Sequence, residues 1–113
     1  MNASDILVLG VKGTLTAFDK NTGTRLWTTR LKSSLSSDFV SVLADDTKVY
    51  AHTGGEIFCV DLFTGDGLWS DQLPGLGYGI ASLALPGVGA SALPPAQEQQ
   101  RQQEAAHQST HTS

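Results

Sequence analysis

The sequence predicts an all-β chain, a partial β-propeller of about two four-stranded antiparallel blades followed by a disordered tail. Three observations carry this. The phrase AFDKNTGTRLW at 17–27 returns as CVDLFTGDGLW at 59–69. Short apolar runs alternate with Gly, Asn and Asp up to residue 85, the pattern of strands joined by tight turns. The composition then changes to PGVGASALPPAQEQQRQQEAAHQSTHTS, rich in Gln, Ala, Ser and Pro, which has too little apolar surface to order itself. The division is therefore 1–86 for the repeats and 87–113 for the tail.

The two phrases lie at an offset of 42 residues. The same offset links Gly13 to Gly55, Asp19 to Asp61, Thr22 to Thr64, Gly23 to Gly65, Leu26 to Leu68, Trp27 to Trp69 and Leu31 to Leu73. Apolar character carries over as well, from Leu7 to Val49, Val8 to Tyr50, Leu15 to Ile57 and Phe18 to Val60. A period of about 40–45 residues is that of a propeller blade. Seven strands follow in order: Ile6–Leu9, Leu15–Asp19, Arg25–Thr29, Phe39–Leu43, Lys48–His52, Ile57–Asp61 and Gly67–Asp71. Gly79–Leu85 makes an eighth, the innermost strand of a further blade.

The repeated turns have a physical logic. Asp19 and Asp61 end one strand and accept backbone N–H groups two or three residues on. Gly23 and Gly65 supply the positive φ that a side chain resists. Trp27 and Trp69, four residues later, fall where an indole can lie flat against a neighbouring sheet while its N–H seeks a carbonyl.

Ala17-x-Asp19-x-x-x-Gly23-x-x-x-Trp27 resembles the tryptophan-docking motif of the PQQ-like (quinoprotein) β-propeller repeats. Cys59-x-Asp61-x-x-x-Gly65-x-x-x-Trp69 is similar, with Cys in the place of Ala as a small packing residue. The resemblance covers roughly residues 5–85 and implies that each Trp is sandwiched between blades. That family contains quinone-dependent dehydrogenases, whose full rings enclose the quinone and a calcium ion. It also contains non-catalytic scaffolds such as an outer-membrane assembly lipoprotein. With two motifs and one cysteine, the chain is expected to be a protein-interaction scaffold with no cofactor; a dehydrogenase fragment is the alternative.

Two blades leave two apolar faces uncovered, and stacked repeats need neighbours. The first motif has three strands, the second four, and Gly79–Leu85 adds one. The last strand is placed to complete the three-stranded blade of another copy, giving head-to-tail assembly with about three or four copies in a ring of six or eight blades. The other partner for these faces is the rest of a longer propeller.

Composition narrows the remaining classes. Over 113 residues, 40% are hydrophobic and 16% charged, which suits a globular core. A net charge of −4 with scattered Lys and Arg argues against nucleic acid. No run is long and unbroken enough for a membrane helix, and the first ten residues lack the pattern of a secretory signal, so a cytoplasmic location is expected. Cys59 alone forms no intrachain disulfide.

Other residue types that often carry chemistry read as structural. Asp19 and Asp61 recur because the turn recurs, not as an acid pair. Asp45-Asp46 reads as a hairpin turn, and His52 stands alone at a strand end. His107 and His111 have a metal-like spacing only on an ordered helix. Gly75-Leu76-Gly77-Tyr78-Gly79 opens no helix, so it reads as an inter-blade connection, with Tyr78 at a partner-binding rim. The sequon Asn2-Ala3-Ser4 is set aside. No catalytic, cofactor-binding or metal residue is assigned.

Overall fold

A computed structural model describes residues 1–33, 39–76, 79 and 81–87. A short 3-10 turn, Ala3–Asp5, leads into seven strands: β1 (Ile6–Val11), β2 (Thr14–Asp19), β3 (Arg25–Arg30), β4 (Ser41–Ala44), β5 (Lys48–Thr53), β6 (Glu56–Asp61) and β7 (Gly67–Asp71). They form two antiparallel sheets, one of three strands in the order β1-β2-β3 and one of four in the order β4-β5-β6-β7. This is a partial β-propeller. Among the described residues no helix is long and apolar enough to cross a membrane.

The 42-residue offset is reproduced in the hydrogen bonding. Both inner hairpins turn on two residues of positive φ, Lys12-Gly13 and Gly54-Gly55, the form that matches strand twist. The Gly23 N–H donates to the Asp19 carbonyl at 2.7 Å and the Gly65 N–H to the Asp61 carbonyl at 2.8 Å. Asp19 Oδ1 accepts the Asn21 N–H at 2.9 Å, while Asp61 Oδ1 accepts Phe63 N–H at 2.8 Å and Thr64 N–H at 3.0 Å. Even an irregularity repeats: the register shifts between Ala17 and Phe18 in one sheet and between Cys59 and Val60 in the other. Leu26 and Leu68 are the extra residues at these bulges, which bend the outer strand.

The core lies between the sheets. Leu15, Ala17 and Trp27 from the first meet Val49, Ala51 and Val60 from the second, with Val8 and Val42 beside them. Gly10 lets β1 approach β4, since a Cβ there would stand 2.7 Å from a methyl of Val42 and 2.9 Å from Val40. The opposite face of β1 turns Leu7, Leu9 and Val11 outward.

Two expectations are corrected. The fourth strand starts at Ser41, not Phe39; Phe39 is exposed, lies outside the β4–β5 register, and its carbonyl accepts the Thr53 hydroxyl at 2.8 Å. The eighth strand is absent from the described part of Gly79–Leu85, where residues 79 and 81–85 pair with no strand. An extended segment becomes a strand only beside a neighbour that takes its N–H and C=O groups. This one lies against β4, where the Ser41 hydroxyl donates to the Ala81 carbonyl at 2.7 Å. Apart from Gly87, the tail expected over 87–113 lies outside the described residues, as do Gly77, Tyr78, His107 and His111.

Candidate functional site

Each tryptophan stands in the same register of its own sheet, and around the first of them the two sheets are joined. In the first copy Ala17 stands opposite Trp27, and both face the second sheet. The indole is 8% exposed, and its Nε1–H donates to the Leu62 carbonyl at 2.8 Å. The ring lies over Gly65, where a Cβ would come within 2.6 Å of it. The Thr29 hydroxyl donates to the Gly65 carbonyl at 2.6 Å. An aromatic plane, a buried N–H bond and a hydroxyl bond thus pin β3 to the turn after β6.

In the second copy Cys59 stands opposite Trp69, in the same register. Leu43 and Tyr50 share that face, and the rings of Tyr50 and Trp69 lie 6.2 Å apart at 48°. Here the indole is 51% exposed, since no third sheet among the described residues covers it. A cleft of ≈ 370 Å³ runs beside β7, with Thr29, Cys59, Gly67 and Trp69 in its wall. The molecule therefore has two unlike outer faces. One is headed by Trp69. The other, on β1, carries Leu7, Leu9 and Val11 with Phe18 beneath Arg25, whose guanidinium carbon is 5.8 Å from the ring centre.

The titratable groups near these faces are structural in their surroundings. Burial pushes the Cys59 thiol up, away from the thiolate a nucleophile needs. The backbone N–H groups of Thr47 and Lys48 hold Asp45 below the usual carboxylate range, and Tyr50 donates its hydroxyl to the same carboxylate at 3.1 Å. Asp61 is lowered by the N–H groups of Phe63 and Thr64. Among the described residues no three His, Cys, Asp or Glu side chains gather as a metal site. They do not fit the six to eight oxygens that calcium asks for.

His52 is 8% exposed, and burial alone lowers its pKa from the ordinary 6.5. The unfolded chain therefore takes up this proton first. Stability from His52 is complete above pH 6.5 and is lost as pH falls below it towards the folded value. Asp45 and Asp61, being depressed, give up their share only below 3.8. Urea titrations on either side of pH 6.5 should show a falling midpoint in the wild type and a flat one in His52→Gln.

Sequence reasoning placed the eight motif residues Ala17, Asp19, Gly23, Trp27, Cys59, Asp61, Gly65 and Trp69. The structure brings Trp27 and Gly65 together and leaves Gly23 and Trp69 without such a counterpart among the described residues. The Leu62 carbonyl, the Thr29 hydroxyl and Gly10 were not legible. The first two act through positions the repeat does not preserve in kind, and Gly10 has no glycine at the matching position, 52.

A protein-family model described as outer membrane protein assembly factor BamB, a PQQ-like repeat model, matches residues 5–105. None of the curated proteins matches the chain.

Proposed function

The chain belongs to the PQQ-like β-propeller repeat family, and from that membership we propose that it serves as a non-catalytic blade module, a protein-interaction scaffold whose outer faces dock on further propeller blades. The blades come from other copies of the chain or from the rest of a longer propeller. One observation carries the reading. The Trp69 face repeats the Ala17–Trp27 arrangement in register, yet half of its indole is in contact with solvent. An exposed indole backed by Tyr50, and a second apolar face on β1, are surfaces of the kind that mark protein contacts. The matching family's description names an assembly factor, and the scaffold reading is in keeping with that description.

The test is a photo-reactive benzoylphenylalanine placed at Trp69, at Leu9 and, as controls, at the exposed turn residues Thr22 and Asp46. Irradiation in cells followed by peptide sequencing should give adducts to β-strand peptides at Trp69 and Leu9 only. Adducts no more frequent than at the two turn positions would overturn the proposal. Dye-linked alcohol oxidation after addition of quinone and calcium would replace it with the dehydrogenase reading.

A further inference from the structure

We propose that the Trp69 face docks on the outer β1 face of a second copy of this chain, and that residues 81–85 of the first copy add to that copy's three-stranded sheet as its fourth strand. This rests on reading the outer faces as blade-docking surfaces and names their occupant.

The joint inside the chain is the template. Moved by one repeat of 42 residues, it puts the Trp69 indole over Gly23 of the second copy and its N–H on the Lys20 carbonyl. The receiving turn is already shaped for this. Gly23 has φ 78° against 79° at Gly65. The Lys20 N–H donates to the Asp5 carbonyl at 2.9 Å, as the Leu62 N–H does to the Thr47 carbonyl at 3.0 Å. Where a Cβ on Gly65 would strike Trp27, one on Gly23 would meet nothing within 4 Å. The space for an indole is open.

At one place the two outer faces depart from the inner joint together. Inside, Thr29 gives its hydroxyl to Gly65, and it shares a cleft with Gly67. The matching residues outside are Asp71 on the Trp69 face and Arg25 on the β1 face, both exposed. A carboxylate has no proton for the Gly23 carbonyl, but it suits the guanidinium that now stands in place of Gly67. Charge thus changes on both faces at once, as a contact between the Trp69 face of one copy and the β1 face of another requires.

The strand edge agrees. β1 has β2 on one side, and among the described residues no strand lies on the other. Of residues 81–85, the first already lies at β4, where the Ala81 carbonyl accepts the Ser41 hydroxyl at 2.7 Å. The same shift sets Leu83 opposite Gly10 and Leu85 opposite Val8 of the second copy, as Ser41 and Leu43 stand opposite His52 and Tyr50. Adding a strand to an open edge satisfies the backbone groups of both partners. Such a head-to-tail contact closes into a ring when its rotation allows.

Sedimentation velocity of the whole chain, wild type against Arg25→Asp and Asp71→Arg, tests this. The wild type should run at an integral multiple of 11.9 kDa. Each single reversal should weaken association at least about tenfold. The double variant should regain it, because every contact then meets its opposite charge, and an equimolar mixture of the two singles should associate more strongly than either single alone, because each contact between unlike variants is a matched one. A wild type with an intact β-sheet circular-dichroism spectrum that stays monomeric at every concentration overturns the proposal. So does an assembly indifferent to both reversals. If the chain is monomeric while benzoylphenylalanine at Trp69 still captures strand peptides of another protein, the second copy is wrong and the docking face stands. If neither occurs, both fall.

Discussion

Trp27→Ala should cost the fold about 3–5 kcal/mol, the range for deleting a large buried aromatic side chain. Domains of this kind hold only about 5–15 kcal/mol in total, so the loss is a large share of the whole. The size follows from what the indole does. It fills the space between the sheets, covers Gly65, and supplies the N–H that the Leu62 carbonyl accepts. Removing it leaves a cavity and a carbonyl without its donor, penalties that add. Trp69→Ala, in the same register one repeat later, should change the stability of the dissociated chain by no more than about 1 kcal/mol, since its ring gives up mainly the Tyr50 contact. Its effect should fall on association instead. Urea denaturation of the two variants, followed by circular dichroism at low protein concentration, measures both. Equal costs, or a larger one at Trp69, would contradict the assignment of Trp27 as the buried half of the pair.

That contrast also marks where the sequence stops informing. The offset of 42 reports everything local: the Asp-capped turns, the positive-φ glycines and the strand that carries each Trp. These depend on residues within a few positions of one another, so the same words give the same shapes. Whether an indole is covered depends on the next sheet, which the local phrase does not contain. Trp27 and Trp69 therefore read alike and end in different surroundings. Gly10 was illegible for the same reason, because its need for bareness is set by Val40 and Val42 some thirty residues away. The segment at Gly79–Leu85 looked like a strand because its composition is that of one. Composition makes a segment eligible for a sheet, and only a neighbouring strand enrols it. At Phe39 the error was smaller: an aromatic residue with high strand propensity sits just outside β4, and the Thr53 hydroxyl claims its carbonyl.

Gly65→Ala and Gly23→Ala separate conformation from contact in one comparison. Both glycines have nearly the same positive φ, 79° and 78°, so an alanine at either bears a similar backbone penalty of about 1–2 kcal/mol. At Gly23 that is the whole effect, because the new methyl enters open space. At Gly65 the methyl would stand 2.6 Å from two ring carbons of Trp27 and 2.7 Å from the Thr29 hydroxyl oxygen. Neither neighbour can retreat freely, since the indole is fixed by its bond to Leu62 and the hydroxyl by its bond to Gly65 itself. Overpacking of this kind adds about 1–3 kcal/mol, bringing Gly65→Ala to roughly 2–5 kcal/mol. Denaturant midpoints of the two variants, taken on dissociated protein, give the difference directly. The same pair speaks to the second copy as well. If a Trp69 indole of another molecule comes to rest on Gly23, then Gly23→Ala should impair association by the margin that Gly65→Ala adds to unfolding. A Gly23→Ala chain that assembles as well as the wild type would place that indole somewhere else.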